Sequence, residues 1–266
     1  MSESLSFPEL NTGSALSGTA GDDVLQVTSP GTAYGSGGND VIQGRGGADA
    51  VYGGDGDDQI FTEGGPDLVE GGAGNDVVAT GAGEDWIEGG DGNDLLYGGP
   101  GNDAVFGGAG NDLVFDTEGN NGLYGGEGND NIVGGDGIEV VFAGEGNDAV
   151  NAGGGGDFVF GAAGDDVFIG GPGDDILSGG AGLDRFVYAG GDGLDRVNDF
   201  TAADDTIQVA AGINGTGIDS ADDLLGRLSD TADGAVLDLG GGSAVLLSGL
   251  TAAAVTAGGA GVFDIV

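Results

Sequence analysis

Aspartate recurs every nine residues along most of this chain and fills the same position in 15 of 17 consecutive nine-residue blocks. The chain contains no His and no Cys, which excludes imidazole and thiolate metal sites, the zinc-protease helix motif and histidine-based catalytic triads. A regular row of carboxylates can still coordinate hard cations that prefer oxygen ligands. The residues predicted to do so are Asp40, Asp49, Asp58, Asp67, Asp76, Asp85, Asp94, Asp103, Asp112, Asp130, Asp148, Asp157, Asp166, Asp175 and Asp184.

The blocks run without a gap over residues 35–187 and share more than their aspartate. Position 4 is Gly and position 8 is apolar in all 17 blocks, and position 6 is Asp except at Asn121 and Glu139. A Gly-rich composition alone does not produce such agreement, and a nine-residue pattern of this kind is typical of Ca²⁺-binding parallel β-helices. A weaker block, with Asp23 as a further predicted ligand, precedes them and predicts an N-terminal capping repeat within residues 1–34.

Each block predicts a six-residue turn followed by a three-residue strand. Glycine permits positive φ, which lets carbonyl oxygens point inward at a bound ion. Ca²⁺ takes about six to eight oxygen ligands at ~2.3 to 2.6 Å in a tolerant geometry, whereas Mg²⁺ demands a strict octahedron. We therefore predict Ca²⁺ ions between stacked turns, with Asp side chains and backbone carbonyl groups as ligands. The carbonyl groups are expected near Gly53, Gly71, Gly89, Gly107, Gly125, Gly161 and Gly179.

Two blocks make one coil of 18 residues, so alternate blocks fall on opposite edges and position 8 points between two parallel sheets. The predicted fold class is all-β, a parallel β-roll (a β-solenoid) over residues 35–187 with a β-rich C-terminal cap over residues 188–266. Neighbouring coils cannot bury their faces alone, so the repeats are expected to order together. In the cap, Ser220 predicts the start of a short helix, and Gly234 marks a hairpin.

The charge of the chain is strongly one-sided. There are 46 acidic residues against four basic ones, and the formal net charge is -42. Such a chain repels itself when no counter-ion is bound, so we expect folding to depend on cations. The same charge disfavours nucleic acid and anionic membranes as partners, because binding to phosphate is driven by Lys and Arg.

The two edges of the predicted roll differ in composition. The odd blocks, counted from Gly35, keep Asp at position 6 throughout, and the even blocks carry nearly all departures from the pattern. These departures are Arg45, Thr62, Glu63, Thr80, Asp116, Thr117, Asn121, Glu139 and Ala152. We predict a full row of Ca²⁺ on the odd edge and gaps on the even edge, chiefly near Asn121 and Glu139. Neutral drift in redundant sites explains the same pattern, because a repeat array tolerates a weak member.

Aromatic side chains predict a contact face on the outside of the roll. Position 9 of successive even blocks is aromatic four times, and position 7 adds two aromatics on the same side. The residues are Trp86, Phe106, Tyr124, Phe142, Phe158 and Phe160. An exposed apolar patch of this length usually marks a contact surface. The alternatives are that aromatic residues simply suit strands, or that the cap covers them.

Blocks such as Gly53-Gly-Asp-Gly-Asp-Asp58 and Gly71-Gly-Ala-Gly-Asn-Asp76 resemble the haemolysin-type calcium-binding repeats of the RTX family. After the last block, the segment containing Asp195 and Asp199 looks like the acidic stretch that commonly closes the roll in that family, which implies two further ligands. The C-terminus looks like the family's uncleaved signal for type I secretion. The resemblance therefore implies a secreted, extracellular or cell-surface protein that uses type I secretion machinery and folds on reaching millimolar Ca²⁺.

The start of the chain, residues 1–7, lacks a basic region followed by an apolar run. No cleavable N-terminal signal peptide is therefore predicted. No stretch approaches the ~18 apolar residues that a membrane span requires, so a membrane partner is not expected.

No separate acid/base pair or other catalytic domain stands out, so we expect a protein that is not an enzyme. The leading hypothesis is a structural, matrix, surface-layer or adhesion protein that binds Ca²⁺ and contacts either itself or an extracellular polysaccharide. Two alternatives are a small membrane-active RTX protein resembling nodulation protein O and an accessory module of a polysaccharide-modifying system. Ice binding would require an outward row of Thr in the turns, where position 3 is mostly Ala, Asp, Glu or Pro, so it is not expected.

Overall fold

The structure, a computed structural model, describes residues 15–28 and 30–266. Residues 1–7, from which we predict that the chain has no cleavable signal peptide, lie outside the described residues. The chain divides into two compact units, Met1–Tyr124 and Gly125–Val266. Each unit is built around parallel strands, as the repeat predicts.

The first unit is a parallel β-solenoid in which strands of two lengths alternate. Its strands are β1 (Leu16–Ser17), β2 (Val24–Gln26), β3 (Thr32–Gly37), β4 (Val41–Gln43), β5 (Ala50–Asp55), β6 (Gln59–Phe61), β7 (Leu68–Ala73), β8 (Val77–Ala79), β9 (Trp86–Asp91), β10 (Leu95–Tyr97), β11 (Ala104–Ala109) and β12 (Leu113–Phe115), and β13 (Gly122–Glu127) includes the unit boundary. Strands β1, β3, β5, β7, β9 and β11 pair in that order in the long-strand sheet. Strands β2, β4, β6, β8, β10 and β12 pair in that order in the short-strand sheet.

The register of both sheets follows the 18-residue coil. Val51 pairs with Val69 in the long-strand sheet, and Ile60 pairs with Val78 in the short-strand sheet. Both of these pairs join position 8 of one coil to position 8 of the next. The β-branched side chains that recur there suit a pleated, buried surface, so sequence and register agree.

The core of the first unit is the stack of position-8 side chains, as predicted. Each one is fully buried, with a relative exposure of 0%. They are Ile42, Val51, Ile60, Val69, Val78, Ile87, Leu96, Val105, Val114 and Leu123. Every coil thus contributes only two large apolar residues to the interior, which is a thin core for a solenoid that must also hold many carboxylates.

Strand length departs from the three-residue prediction on one side. The even-block strands continue through the first three residues of the following odd block and reach six residues, as in β5, whereas odd-block strands such as β6 have three. The extension forms because the odd-block turns also pair with one another, as at Gly54 with Gly72. The left-handed φ of +117° at Gly54 explains why a bare glycine stands at this bend.

The second unit continues the same architecture and adds helical segments. Its strands are β14 (Asn131–Val133), β15 (Val140–Glu145), β16 (Ala149–Asn151), β17 (Phe158–Ala163), β18 (Val167–Ile169), β19 (Ile176–Ala181), β20 (Arg185–Tyr188), β21 (Leu194–Val197), β22 (Thr206–Val209), β23 (Leu228–Asp230), β24 (Gly234–Gly240), β25 (Ser243–Ser248) and β26 (Phe263–Ile265). Its helices are α1 (Ala221–Leu225) and α2 (Ala252–Ala257), with 3₁₀ turns at Ile213–Gly215 and Gly259–Val262. Strands β15, β17, β19, β21, β25, β24 and β23 form one sheet in that order, and β14, β16, β18, β20, β22 and β26 form the other.

The coils extend past the predicted boundary at residue 187. Leu177 pairs with Val197 and Phe186 pairs with Ile207, so β21 and β22 occupy repeat positions. The segment Gly190-Gly-Asp-Gly-Leu-Asp195 is in fact a further repeat. Two inserted residues, Tyr188 and Ala189, shift it out of the nine-residue register, which is why a count in steps of nine does not find it.

The C-terminal cap closes the long-strand side of the second unit with an antiparallel hairpin. Strand β25 pairs in parallel with β21 and antiparallel with β24, which covers a sheet edge that would otherwise be open. Ser220 caps the N-terminus of helix α1, and its side chain accepts a hydrogen bond from the backbone N–H of Asp223, as the sequence predicts. In the described part of the chain, no helix is both long and apolar enough to cross a membrane.

Candidate metal centres in the turns

One carboxylate oxygen of each repeat Asp joins consecutive coils. The backbone N–H of Asp40 donates to Oδ1 of Asp58 at 2.7 Å, and the N–H of Asp58 donates to Oδ1 of Asp76 at 2.8 Å. The same bond recurs at intervals of 18 residues on both edges, and we call each such row an aspartate ladder. Further members donate from Asp49, Asp67, Asp76, Asp85, Asp130, Asp148, Asp157 and Asp166 to the Asp one coil later.

The second oxygen of many of these carboxylates is buried and has no donor. In odd and even blocks alike, Oδ2 accepts no hydrogen bond from any residue that the structure describes. The carboxylates concerned are Asp40, Asp58, Asp67, Asp76, Asp85, Asp94 and Asp103 in the first unit and Asp148, Asp157, Asp166, Asp175 and Asp184 in the second. A buried acceptor without a donor costs free energy, and far more if it is ionised, so these oxygens call for a positively charged partner.

The inward oxygens meet backbone carbonyl groups at the bare face of one glycine. A Cβ atom placed on Gly53 would overlap both Oδ2 of Asp58 and the carbonyl oxygen of Gly71, one coil later. Equivalent positions, which we call cradles, lie at Gly35, Gly71, Gly89, Gly125 and Gly161. Each cradle brings together two acceptor oxygens from two coils. Such oxygens repel each other unless a cation lies between them.

The pKa values of the cradle carboxylates are raised, as expected for buried carboxylates that face other acceptor oxygens. Burial raises the pKa of Asp94 to about 7, and the carboxylates of Asp112 and Asp76 add to the rise. Burial also raises the pKa of Asp76 to about 6 and that of Asp166 to about 7. The folded chain thus holds these carboxylates in a setting that disfavours their charge.

The donor set of the cradles fits Ca²⁺. The structure describes no group of three or more His, Cys, Asp or Glu side chains that could hold a metal, because each cradle combines one carboxylate oxygen with carbonyl oxygen. Oxygen-only ligation drawn from flexible glycine turns suits the tolerant coordination of Ca²⁺ better than the strict octahedron of Mg²⁺. The Asp side chain and the glycine carbonyl of the next coil are the groups that would hold the ion.

The even block at residues 116–121 departs most from this plan. Asn121 keeps the ladder, since its Oδ1 accepts from the N–H of Asp103 at 3.0 Å, but its Nδ2 donates to the backbone oxygen of Asp116 at 3.4 Å. The side chain of Asp116 instead points at the cradle of the previous coil, where a Cβ on Gly98 would meet Oδ2 of both Asp116 and Asp103. Burial raises the pKa of Asp116 to about 8, and the charge of Asp103 contributes.

Glu139 also keeps the ladder while changing the cradle. Its backbone N–H donates to Oδ1 of Asp157 at 2.9 Å, and its longer side chain is buried. Burial raises the pKa of Glu139 to about 8, followed by the effect of the Asp157 charge. The predicted gaps in ion binding near Asn121 and Glu139 stay a prediction, but both positions do differ in the groups that they turn inward.

Of the further predicted ligands Asp23, Asp195 and Asp199, two lie in the ladder, and their Ca²⁺ ligation stays a prediction. Asp23 and Asp195 both lie in it: the N–H of Asp23 donates to Asp40, and Oδ1 of Asp195 accepts from Asp175 at 3.0 Å. Asp199 lies outside it and accepts from the N–H groups of Gly179 and Gly180 at 3.0 Å each. Its place is taken by Asp205, whose Oδ1 accepts from Asp184 at 3.1 Å.

Asp205 was missed because one extra residue precedes it. The available signal is the pair Thr206-Ile207 directly after it, which matches positions 7 and 8 of a block. Ile207 is fully buried, as position 8 requires.

The aromatic residues of the predicted contact face stack within each unit. Ring centroids lie 4.6 Å apart for Trp86 and Phe106 and 4.4 Å apart for Phe106 and Tyr124. In the second unit, Phe142 and Phe160 stack at 4.9 Å. Phe158 remains 40% exposed, so the cap does not cover it.

Two further aromatic pairs lie outside the predicted contact face. Tyr34 and Tyr52 stack at 5.0 Å in the long-strand sheet, and Tyr97 and Phe115 stack at 5.7 Å in the short-strand sheet. The 18-residue spacing of each pair is the signal that could have found them.

Two solved structures resemble the chain to different degrees. The chain is 24% identical to a hyperactive, Ca²⁺-dependent, β-helical antifreeze protein from an Antarctic bacterium, with a TM-score of 0.52 over 74% of this chain and 76% of that one. It is 19% identical to the extracellular lipase LipA from Serratia marcescens, with a TM-score of 0.30 over 82% of this chain and 39% of the lipase. The likeness to the antifreeze protein shows a shared fold. No curated protein matches the sequence.

The repeats match one family directly. The match is to the RTX calcium-binding nonapeptide repeat (4 copies), at residues 34–69, 52–87, 70–105, 80–114, 106–138, 124–159, 133–168 and 160–197. The matched segments cover more than half of the chain and contain nearly all of the aspartate ladder. The protein therefore belongs to the RTX family of calcium-binding nonapeptide repeat proteins.

Proposed function

We propose that this protein is secreted unfolded, folds on Ca²⁺ outside the cell and then acts as a structural or adhesive component of a cell surface or matrix. The observation that carries the first part is the row of buried Oδ2 atoms that lack donors. In a chain of net charge -42, these carboxylates oppose folding until a cation reaches them.

The coupling between Ca²⁺ binding and folding sets how much stability each bound ion adds. A ligand that binds only the folded state adds about 2.7 kcal/mol per site when its free concentration is 100 times its dissociation constant. Extracellular Ca²⁺ modules bind with dissociation constants of roughly 10⁻⁴ to 10⁻³ M, so cytosolic Ca²⁺ leaves such sites empty and extracellular Ca²⁺ begins to fill them. Several cradles acting together make the change in stability large over a narrow range of Ca²⁺.

The test is a titration of the chelated protein at pH 7.5 from no Ca²⁺ to 10 mM, followed by far-UV circular dichroism. We expect β-structure to appear cooperatively as Ca²⁺ is added. The matched control is Mg²⁺ at the same concentrations, which should induce little β-structure. A chain that is already folded in chelator, or that folds equally in Mg²⁺, contradicts the proposal.

The export route is tested separately. The C-terminal segment that resembles a type I secretion signal, residues 188–266, should direct a carried protein into the medium in a host with that machinery. Retention of the fusion inside the cell speaks against secretion by this route while leaving Ca²⁺-dependent folding untouched.

For the structural or adhesive role, we propose self-association through the aromatic stacks. Support comes from the exposure of Phe142 and Phe158, at 41% and 40%, because exposed aromatic rings favour contact with an apolar partner. Binding of Ca²⁺ also offsets the negative charge that keeps copies apart. A second copy of this chain carries the same stacks and is therefore the partner proposed.

Light scattering after size-exclusion chromatography in 5 mM Ca²⁺ tests this role. We expect wild type to form dimers or larger species, and the double variant Phe142→Ser, Phe160→Ser to stay monomeric with unchanged Ca²⁺ binding. The matched control is Tyr97→Ser, Phe115→Ser, which removes a stack from the other sheet. Equal association of wild type and both variants contradicts self-association through this face. A monomeric wild type that binds polysaccharide or vesicles supports an accessory or membrane-active role instead.

We also propose that the protein is not an enzyme. Support comes from the ladder itself, because most buried Asp residues already bond a neighbouring coil through Oδ1 and face a cradle through Oδ2. The antifreeze protein shares the fold, but Asp55, Ala73 and Asp91 stand at turn position 3 of successive odd blocks in place of the Thr row that ice binding was expected to need. A thermal-hysteresis measurement of the Ca²⁺-loaded chain tests for ice binding. Clear thermal hysteresis would favour ice binding over the adhesive role.

A further inference from the structure

The odd-edge ladder begins and ends with nearly the same nine-residue sequence. Its first described member, Asp23, lies in Thr19-Ala-Gly-Asp-Asp-Val-Leu-Gln-Val27, and its last, Asp205, lies in Thr201-Ala-Ala-Asp-Asp-Thr-Ile-Gln-Val209. Six of the nine positions are identical. Within residues 35–187, no Asp at position 6 has a Thr four residues before it. The shared sequence therefore marks the two ends of the ladder and not its interior.

Both of these turns supply a donor to the carboxylate oxygen that has none in the interior. The backbone N–H of Thr19 donates to Oδ2 of Asp23 at 2.6 Å, and its Oγ1 donates to the same oxygen at 2.9 Å. The N–H of Thr201 donates to Oδ2 of Asp205 at 2.6 Å. In Asp40, the next member of the ladder, Oδ2 is buried and accepts no hydrogen bond from any described residue. Hydrogen bonds to a carboxylate are strengthened by its charge, so protein donors at the two ends stabilise the charge that a cation is expected to balance in the interior.

The threonine at position 2 sets the course of the backbone in these turns. In interior odd turns the same position has a left-handed φ, as at Gly90 with +116°, and even Ala162 adopts +88°. Neither Thr19 nor Thr201 has a positive φ, which agrees with the strong preference of β-branched residues against that region. Because φ sets the direction of a residue's own N–H within the turn, a threonine here can hold its N–H against the carboxylate, whereas the left-handed interior turns do not.

Each end turn is still joined to its neighbour by a ladder bond. The N–H of Asp23 donates to Oδ1 of Asp40 at 2.7 Å, and Oδ1 of Asp205 accepts from the N–H of Asp184 at 3.1 Å. At the C-terminal end, the N–H of Asp205 donates to the backbone oxygen of Thr201 at 2.8 Å, and the ladder stops there. Both turns are therefore held in the stack by protein hydrogen bonds.

Resting on the proposed Ca²⁺-dependent folding, we propose that these two turns terminate the row of ions, and that Asp23 and Asp205 join the ladder without ligating Ca²⁺. The ions of the odd edge are confined to the turns between them, where Oδ2 has no donor of its own. For Asp23, this role competes with the ligand role expected from the sequence, and the number of bound ions decides between the two. The end turns contribute no site to the Ca²⁺ stoichiometry.

The two end turns differ in the space that their first position leaves open. At the N-terminal end that position is Gly18, where a Cβ would meet the carbonyl oxygen of Gly35 and Oδ2 of Asp23, as in a cradle. At the C-terminal end it is Phe200, which is buried and whose ring centroid lies 6.1 Å from that of Phe186. Removing the threonine should therefore open a site for an ion at the N-terminal end only.

Counting bound Ca²⁺ in carboxylate variants tests the proposal. The chain is dialysed to equilibrium against saturating Ca²⁺ in high KCl, which limits the unequal distribution of ions that its net charge would cause. The excess Ca²⁺ on the protein side is measured by mass spectrometry. We expect Asp23→Asn and Asp205→Asn to bind as many ions as wild type, and the interior control Asp76→Asn to bind at least one fewer. An end variant that loses an ion as Asp76→Asn does overturns the proposal.

Threonine variants test the proposal in the opposite direction and leave every carboxylate in place. Thr19→Gly permits the left-handed φ of the interior turns and should raise the count by one ion. Thr201→Gly is the matched control, because Phe200 fills its turn, and it should leave the count unchanged. If Thr19→Gly loses an ion or keeps the wild-type count, the threonine does not close the N-terminal turn and the proposal fails.

The outcomes separate the closed ends from the proposed function. If wild type binds no Ca²⁺ at any free concentration, Ca²⁺-dependent folding fails as well. If wild type binds several ions but the end variants behave like Asp76→Asn, only the closed ends are wrong. Asp205→Asn adds a check on the hydrogen bonds, because its single oxygen cannot accept from the N–H groups of both Thr201 and Asp184. We expect it to lower the midpoint of thermal unfolding in Ca²⁺ with no loss of ions, and an unchanged midpoint contradicts the role of these bonds.

Discussion

The odd-block and even-block turns share one hydrogen-bond ladder but differ in what they present to the space between coils. In odd turns, Oδ2 of residues such as Asp76 faces a bare glycine and a carbonyl oxygen. Some even turns keep that glycine, as at Gly44 and Gly170, but two carry a threonine there, as at Thr80, and the cradle at Gly98 receives an added carboxylate from Asp116. The ladder needs only one oxygen, which Asn121 supplies as an amide. Stacking and the proposed ion binding therefore use different atoms of one side chain and can be lost separately.

The largest expected effect is the pH dependence of the metal-free chain. The folded pKa values of Asp76 and Asp94, about 6 and about 7, lie above the unfolded value of about 4. Without Ca²⁺, these groups add their stability in full below about pH 4, and it is lost as pH rises through 6 to 7. Asp116, with a pKa of about 8, extends the loss further.

Circular dichroism of the chelated protein between pH 3 and pH 8 measures this dependence. We expect β-structure at pH 4, its loss by pH 7.5, and its return when Ca²⁺ is added at pH 7.5. Light scattering at each step is the control, because the sequence pI of about 4.1 favours aggregation near that pH. Metal-free structure that persists at pH 7.5 would show that the odd cradles need no cation.

The next largest effect is expected at Gly71, where the absence of a side chain leaves room for an ion. Gly71→Ala places a methyl group against Oδ2 of Asp76 and the carbonyl oxygen of Gly89, so one ion should be lost together with about 3 kcal/mol of stability at saturating Ca²⁺. Gly21→Ala is the matched control, since a Cβ there meets nothing within 4 Å. Urea unfolding in 5 mM Ca²⁺ measures both, and equal midpoints for the two variants would remove the distinction between cradle and surface glycine.

A smaller effect is expected where an even turn has gained a carboxylate. Asp116→Asn removes one negative charge from the cradle at Gly98 while Asp103 remains. We expect the affinity of a single Ca²⁺ site to fall about tenfold, which is about 1.4 kcal/mol. Isothermal titration calorimetry detects this as one weakened class of sites. An unchanged isotherm would mean that Asp116 does not face an ion.

The smallest effect concerns backbone strain in an odd turn. Ala162 has a φ of +88°, a region that residues with a Cβ adopt at a cost of about 1 to 2 kcal/mol. Ala162→Gly should relieve it and raise stability by about 1 kcal/mol, in contrast to the loss expected from the opposite exchange at Gly71. Thermal unfolding in Ca²⁺ compares the two, and a less stable glycine variant would contradict the strain.

The sequence was sufficient for the coil and the core, because each depends on one residue type at a fixed interval. Position 8 predicted Ile42 and its successors as core. Position 6 predicted Ca²⁺ ligands, whereas the hydrogen bonds that its Oδ1 accepts from the preceding coil were not predicted. The chain beyond residue 187 was harder, because Tyr188 and Ala189 break the interval while the backbone still closes its coil. The behaviour of Thr80 could not be read from the pattern either, since a hydroxyl acts as ligand, donor or surface group according to which oxygens surround it.

The direction of the ladder has a consequence for the order in which coils assemble. Each coil donates a backbone N–H to a carboxylate carried by the coil that follows it in sequence, as Asp40 does to Asp58. A folded coil therefore presents a fixed acceptor to the coil before it and awaits an acceptor from the coil after it. Assembly that starts at the C-terminal end and proceeds toward the N-terminus always adds a donor to a template already in place. In a chain that emerges with its C-terminus first, the order of emergence and the polarity of the template coincide.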